Sequence, residues 1–253
     1  MTKGLIMPGE VAITGEMVTK RFLMGRRRER LSAEELNALE ASVTALRDLP
    51  PRKVIARTGE RVVESTLLLE GFICRYMDDR SGQRQLVCIH VPGDFVDLHG
   101  YPLDWLDHDL ATIGPARVAC WTHEAIDQLV QPRPNLQKML WFSTMLDAAM
   151  HREWIFRLGR LGADGRIAHL MCELEARLEM VGLAANGRFT LPLKQADLAE
   201  ACGLTGVHVN RVLRQLRERE LLLFKSGEVT ILNQPGLRAL AEFDPIYLYG
   251  SEA

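Results

Sequence analysis

The sequence predicts an α+β protein in which a β-rich half precedes a helical half. Three observations carry this prediction. Short apolar runs separated by turn residues fill residues 54–121, which is typical of a small β-roll. A helical pattern without internal proline covers residues 136–161, and residues 191–222 have the spacing of a helix–turn–helix. The expected fold is therefore a β-roll, one long helix and a C-terminal winged helix–turn–helix.

The N-terminal residues 1–31 are predicted to be an arm of uncertain structure. Its basic run, residues 21–30, is interpreted as a solvated or partly ordered arm, with an accessory phosphate contact as the sharper alternative. Ser32 and Glu35 then form a capping box that begins a helix, and its apolar spacing continues through Leu46 until the prolines at 50–51 end it.

Residues 32–134 are predicted to form the roll as a sensor domain. The predicted strands are bounded by polar or glycine-containing turns such as residues 78–82 and 92–94. They cover residues 66–69, 71–77, 85–91, 95–98, 111–113 and 117–121.

Residues 135–161 are predicted to form a dimerisation helix about 39 Å long. Two apolar stripes run along it, one through Met139 and Leu146 and the other through Met150 and Trp154. A helix that is apolar on two faces needs two partners, and the second is expected to be the same helix of another copy. The alternative is a helix buried within one large domain.

Residues 162–253 are predicted to be a winged-helix DNA-binding domain. Asp164 is expected to N-cap a helix, Gly203 to take a positive φ in the turn, and Thr205 to N-cap the second helix of the motif. The second helix leaves a polar face free for base edges and phosphates. That face carries His208, Asn210, Arg211, Arg214 and Arg217.

A β-hairpin is predicted directly after this second helix. Its presence distinguishes a winged helix from a plain αα-hairpin. The apolar run 221–224, the turn 225–228 and the β-branched run 229–232 form the β-hairpin. Between residues 186 and 225 there are seven basic and four acidic residues, although the whole chain has a net charge of -2. Positive charge is thus concentrated where a phosphate backbone would lie.

Composition narrows the function class. No apolar run approaches the ~20 residues of a membrane helix, and the first residues do not predict a signal peptide. The five cysteines are scattered, which predicts reduced thiols and a cytoplasmic protein, and no clustered metal-ligand spacing is present. P-loop, HExxH and GxSxG motifs are absent, so no enzyme is predicted.

With these elements in order, the chain from about residue 32 to 250 resembles the Crp/Fnr family of bacterial transcription regulators. The specific stretches are residues 162–170 (GADGRIAHL), 191–222 and 243–248. The resemblance implies a homodimer on double-stranded DNA whose two recognition helices enter major-groove half-sites about 34 Å apart, as in the family's cAMP-responsive regulator. RNA polymerase is kept open as a further partner.

The resemblance also implies which residues contact DNA. By position, His208, Asn210 and Arg211 match the base-reading segment, and Gln195, Thr205 and Arg214 match positions facing the backbone or groove edge. The family often has Glu where this chain has Val207, and commonly Arg or Pro where it has Gly206. Glutamate accepts a hydrogen bond from cytosine and valine cannot, so a different operator is expected.

The effector and its residues are unknown from the sequence. The family's cAMP binders hold ribose with Gly-Glu and phosphate with Arg followed by Ser or Thr. Here Gly93-Asp94 occupies the first place, and the second falls at residues 108–111, where Asp109 would repel phosphate. We therefore expect no cAMP binding in the usual way.

The sequence indicates no cofactor or metal strongly, so several other kinds of sensor remain as alternatives. The alternative function is a ligand-, haem- or redox-sensing module of the same fold whose DNA binding is secondary or lost; equally, no small ligand is needed. Candidate haem or metal ligands are His90, His99, His108 and His123, and candidate redox thiols are Cys74, Cys88 and Cys120.

Overall fold

The computed structural model describes residues 17–250. After a short 3₁₀ helix, Arg28–Arg30, the first α-helix is α1, Ala33–Ala41. Its predicted capping box is present, because Glu35 N donates to the Ser32 hydroxyl (3.1 Å) and Ser32 N donates to the Glu35 carboxylate (2.8 Å).

Helix α1 is shorter than predicted. It ends at Ala41, and Leu46 belongs to strand β1, Ala45–Leu49, which pairs with the later strand β7, Ala116–Thr122. Thr44 N donates to the Cys120 carbonyl (2.8 Å), and this pairing begins directly after the β-branched pair 43–44. Strand pairing has therefore overridden the helical spacing of the apolar residues.

The β-roll consists of two antiparallel sheets. Their orders are β1-β7-β3 and β2-β6-β4-β5, and apolar side chains from both fill the space between them. The remaining strands are β2 (Val54–Ala56), β3 (Glu64–Glu70), β4 (Ile73–Asp78), β5 (Arg84–His90) and β6 (Asp109–Thr112).

The strand predicted at residues 95–98 does not form. Phe95 makes one isolated bridge to Leu67, and the chain then turns into the short helix α2, Gly100–Leu103. The buried carboxylate of Asp97 accepts a hydrogen bond from Thr66 N (2.6 Å). A side chain thus takes the place that a neighbouring strand's carbonyl would have filled.

The part of the N-terminal arm within residues 17–31 is packed rather than solvated. Phe22 and Leu23 are buried, and Arg26 lies 3.7 Å from the Asp94 carboxylate. Arg28 donates to the carbonyls of Thr19 (2.8 Å) and Phe22 (2.9 Å). Arg26 and Arg28 therefore belong to an ordered segment and are not free in solvent, whereas an accessory phosphate contact by the basic run stays a prediction. Residues 1–16 of the arm lie outside the described residues.

Helix α3, His123–Val130, leads into the long helix α4, Pro134–Arg160. Both predicted apolar stripes of α4 mostly face the interior of their own subunit. A third apolar stripe is exposed; it comprises Trp141, Met145 and Ile155, which were not predicted, together with Phe156, which was predicted to lie on the stripe through Met139. No helix within residues 17–250 is long and apolar enough to cross a bilayer.

The C-terminal half begins with α5, Ala163–Met180, whose N-cap is Gly162 rather than the predicted Asp164. The winged helix contains α6, Gln195–Cys202, and α7, Gly206–Glu218, with a sheet of order β10-β11-β9-β8. Its strands are β8 (Ala184–Ala185), β9 (Arg188–Thr190), β10 (Leu222–Lys225) and β11 (Glu228–Ile231). Helix α8, Gln234–Ala241, and a 3₁₀ turn at Pro245–Leu248 complete the fold.

One core joins the two halves. Buried residues of the four-stranded roll sheet, including Cys74 and Leu86, belong to the same apolar cluster as α5 and the helix–turn–helix. At its edge Arg52 bridges to Asp197 of α6 with nitrogen–oxygen distances of 2.7 and 2.8 Å, and Gln85 donates to the Glu200 carbonyl (2.6 Å). The roll therefore contacts the first helix of the DNA-binding motif directly.

Candidate nucleic-acid interface

Helix α7 has the polar face that the sequence predicts. Val209, Val212 and Leu216 are buried against α5 and α6, which orients the opposite side of the helix outward. All the predicted contact residues are exposed: Gln195, Thr205, His208, Asn210, Arg211, Arg214 and Arg217. The structure brings them to one surface, which we call the α7 face.

Local chemistry fixes the start of α7. Gly203 has φ 60°, so the turn uses the left-handed conformation that glycine tolerates best. Thr205 caps the helix by accepting a hydrogen bond from His208 N (3.3 Å). The first backbone N–H groups of α7 thus point outward beside Val207, where a helix N-terminus favours an anion.

The side chains of the α7 face are only loosely engaged within the protein. Asn210 Nδ2 lies 3.5 Å from Gln195 Oε1, and Arg214 lies 3.8 Å from Glu218. Weak, exposed contacts of this kind cost little to exchange for contacts with a ligand. The wing contributes Lys225 beside Arg217 and Arg214, which extends the positive surface away from the helix.

Helix α6, by contrast, is held firmly from behind. Arg157 of α4 donates to the Ala201 carbonyl (2.8 Å), and Arg166 of α5 donates to the Cys202 carbonyl (3.3 Å). These guanidinium groups satisfy carbonyls at the helix C-terminus, where positive charge is favoured. The long helix therefore sets the position of the motif, a role for Arg157 that the apolar-stripe analysis did not reveal.

In the roll, the arm covers Gly93-Asp94, the pair that the sequence resemblance assigns to a ribose site. Asp94 pairs with Arg177 of α5 (2.6 Å) and faces Arg26. A Cβ at Gly93 would lie 2.5 Å from the Arg21 carbonyl oxygen, which shows how closely the arm approaches. Burial alone would raise the pKa of the Asp94 carboxyl, but the positive charge of Arg177 holds it well below its usual value.

A buried network extends from Asp94. Arg177 also binds Glu173 (3.0 Å), which accepts hydrogen bonds from Tyr247 (3.0 Å) and Trp154 (3.2 Å). Arm, roll, long helix and C-terminal tail are thus joined through one set of charges, which we call the Asp94 network. Sequence reasoning missed it because its members come from distant parts of the chain.

A separate cavity of about 620 Å³ lies between the roll and α4. Its wall includes Arg75, His99, His108, Trp141, Asp147 and His151. We call it the roll–helix cavity. The rings of His99 and His108 lie against each other in a tilted arrangement with centroids 5.2 Å apart, and burial lowers the pKa of His99 to about 3.

The other predicted sensor residues are dispersed or inert. His90 is buried, with its pKa lowered to about 4 by burial, and His123 lies apart beside Tyr101. All five cysteines are free and buried. Burial raises the pKa of Cys74 to about 12 and that of Cys120 to about 11, which disfavours the reactive thiolate that a redox role needs.

Comparisons with known proteins agree with this geometry. Residues 165–240 match the family model of the Crp-like helix-turn-helix domain. The chain is 26% identical over 211 residues to the transcriptional activator protein FnrA of Stutzerimonas stutzeri, covering 83% of this chain and 86% of that protein. It is 28% identical over 218 residues to the transcriptional activator protein FnrL of Cereibacter sphaeroides, covering 84% and 86%.

Among solved structures, FixK2 from Bradyrhizobium japonicum superposes with a TM-score of 0.71 at 22% identity, covering 78% of this chain and 96% of that one. The fold and the α7 face together define a DNA-binding transcription regulator, a class that acts without catalysis. Within that class, residues 165–240 match the Crp-like helix-turn-helix domain, and most of the chain is similar to Crp/Fnr proteins, as the sequence resemblance predicts.

Proposed function

We propose that the protein binds DNA as a homodimer, with one α7 in each of two major-groove half-sites, in the cytoplasm. The observation that carries this proposal is the α7 face, which presents Arg211, Asn210 and His208 outward on a helix fixed by packing behind it. Gln195, Thr205 and Arg214 are exposed beside them, and we assign these three to the phosphate backbone or groove edge.

The exposed stripe of α4 supports the homodimer. Trp141 is 64% exposed and Ile155 is 73% exposed, and Met145 and Phe156 lie along the same stripe. Exposed apolar side chains on one face of a helix favour association, and here Arg152 is the exposed polar residue between Met145 and Ile155. A second copy of the same helix fits, because a two-fold axis presents the same stripe twice.

The roll is proposed to act without cAMP in the usual way. Asp94 and Gly93 are closed by Arg177 and by the arm, so they are not free to hold a ribose. Asp109, at the place where a phosphate partner would be needed, accepts hydrogen bonds from Thr58 N (2.7 Å) and its hydroxyl (3.0 Å). Calorimetry of the purified protein with cAMP should show no stoichiometric micromolar heat.

The DNA-binding proposal is tested by selecting bound duplexes from a random library and measuring their affinity against salt. A homodimer should enrich a palindromic site, and the affinity should fall steeply with salt because phosphate contacts release counterions. Absence of binding at low salt would refute the proposal and favour a sensing module that has lost DNA binding.

Arg211→Ala separates sequence readout from general attraction. We expect it to weaken the selected site by about 1–3 kcal/mol per half-site while non-specific binding persists, because a bidentate arginine contact is lost. Lys138→Ala, an exposed charge change near the start of α4, is the matched control and should bind normally. Specific binding that survives Arg211→Ala would show that α7 is not the recognition helix.

A further inference from the structure

Three donor atoms of different chemistry meet where β5 faces α4. The Cys88 thiol, a carboxylate oxygen of Asp147 and an imidazole nitrogen of His151 all lie within 4.8 Å of one another. Cys88 is buried, and Asp147 and His151 are half-buried in the wall of the roll–helix cavity. The trio is distinct from the Asp94 network and from the α7 face.

The spacing of the trio suits a shared ligand. Asp147 and His151 are four residues apart on α4, so they lie one above the other on the same face of the helix. Cys88 comes from β5 on the facing sheet. Two elements thus supply three ligands, and the cavity borders the position that a fourth would take.

Only one of the two Asp147 carboxylate oxygens accepts a hydrogen bond. Oδ2 accepts a hydrogen bond from Arg75, whose guanidinium also donates to the Val96 carbonyl (2.9 and 2.6 Å) and is thereby fixed. Oδ1 is buried and has no hydrogen-bond partner among residues 17–250. A buried carboxylate oxygen without a partner is unusual and needs an explanation. Arg75 orients this oxygen without occupying it.

We infer that Cys88, Asp147 and His151 form a binding site for a divalent transition-metal ion of the Zn²⁺ type, with its fourth position open to the roll–helix cavity. Sulfur, nitrogen and carboxylate donors together are the set that Zn²⁺ prefers, whereas Mg²⁺ and Ca²⁺ prefer oxygen alone. Ligand atoms around a tetrahedral ion lie about 3.3–3.8 Å apart, so the side chains close by about 1 Å on binding.

Binding requires the Cys88 thiol to lose its proton to solvent, so one proton is released per ion bound. Burial and the neighbouring Asp147 charge raise the pKa of this thiol well above its usual value. The cation supplies the positive charge that stabilises the thiolate. This departs from the expectation of no metal, because Cys88 lies far in sequence from the pair Asp147 and His151 and joins it only in the fold.

The direct test is a titration of untagged, chelator-treated, reduced full-length protein with Co²⁺, a coloured substitute for Zn²⁺. We expect one equivalent per chain to produce a thiolate-to-cobalt charge-transfer band and the visible absorption of a tetrahedral ion. Added Zn²⁺ should displace it and raise the melting temperature, since a metal that binds only the folded state stabilises it. The absence of the thiolate band at one equivalent would overturn the inference.

Variants identify the ligands. His151→Gln and Cys88→Ser should each weaken Co²⁺ binding at least about tenfold, and Cys88→Ser should also remove the charge-transfer band. His123→Gln and Cys172→Ser change the same residue types elsewhere and should leave both unchanged. His151 is half-exposed, so its variant keeps the test valid if Cys88→Ser does not fold. Unchanged affinity in His151→Gln would contradict the site.

The ion would join β5 of the roll to α4, the helix that positions α6 through Arg157. Its influence on DNA affinity rests on the proposed function and is measured separately, by titrating labelled operator with and without Zn²⁺. The cobalt spectrum needs no DNA. Failure of the metal site and failure of DNA binding therefore give different results.

Discussion

The α7 face and the Asp94 network hold their polar side chains in opposite ways. On the α7 face the polar groups point to solvent and make weak contacts, and apart from Gln195 on α6 they lie within residues 205–217. In the network Asp94, Glu173 and Arg177 are buried, pair with one another and come from distant segments. Exposed groups are available to a partner, whereas buried charges must be paired to be tolerated.

This difference predicts how substitutions in the two regions will act. Substitutions on exposed faces should change association and leave folding intact. Substitutions of inward-facing polar groups should change stability, whatever they do to DNA binding. The following predictions test these expectations in order of decreasing effect.

The largest effect is expected from Ile155→Asp on the exposed stripe of α4. In a homodimer two carboxylates would be buried without partners, at a cost of at least about 4 kcal/mol in dimer affinity. Sedimentation should show monomers, with circular dichroism unchanged because Ile155 is exposed in the single chain. Val63→Asp, at another exposed apolar residue, is the control and should remain dimeric. A dimeric Ile155→Asp variant would exclude this stripe as the interface.

Asp94→Asn should destabilise the fold by about 3 kcal/mol, because Arg177 and Arg26 would lose their buried anion. The depressed pKa means that the charged carboxylate stabilises the native state above the unfolded pKa near ~3.9, and that this contribution is lost as pH falls. Urea unfolding at neutral pH measures the effect. Asp79→Asn, on an exposed turn, is the control. Equal stability of the two variants would contradict the expectation that inward-facing charges stabilise the fold.

Much of the C-terminal half could be predicted from the sequence because its signals are local. Gly203, Thr205 and the spacing of Val209, Val212 and Leu216 define the motif within a few residues. The roll was predicted in outline, but helix α1 was extended too far, because strand pairing with a segment some 75 residues away overrode the apolar spacing. Strand pairing between segments far apart in sequence is not visible in the pattern of a short stretch of residues.

The same reason explains which site residues were missed. The exposure of the α7 face could be predicted because helical periodicity places most of its members together, and its contact with DNA stays a prediction. His151 and Asp147 join Cys88 only after the roll has folded against α4. The predicted stripes of α4 were assigned to a partner subunit in part, yet Leu146 and Trp154 are buried within the single chain. Periodicity identifies an apolar face without telling which surface covers it.

The pH dependence of stability tests the role of His169, another inward-facing polar side chain. Its ring is buried beside Phe243, with Glu153, Glu173 and Arg157 as its charged neighbours, and burial lowers its pKa to about 4. The unfolded state binds the proton more tightly, so stability should fall by about 2–3 kcal/mol as pH drops from about 6.5 to 4. His169→Leu should flatten this part of the profile in urea melts. An unchanged profile would mean that His169 is not kept neutral by the fold.

Thr205 serves both folding and the exposed α7 face, and its substitution is expected to have the smallest effect on stability. It caps α7 through His208 N, and it lies on the exposed α7 face. Thr205→Ala should cost about 1 kcal/mol of stability, and Thr205→Ser should restore it. Thr205→Asp also caps a helix well but adds negative charge where phosphate is proposed to lie. It should therefore keep the stability and weaken binding to all DNA sequences. If Thr205→Asp binds DNA normally, the cap is its whole role, and the helix start lies away from the backbone.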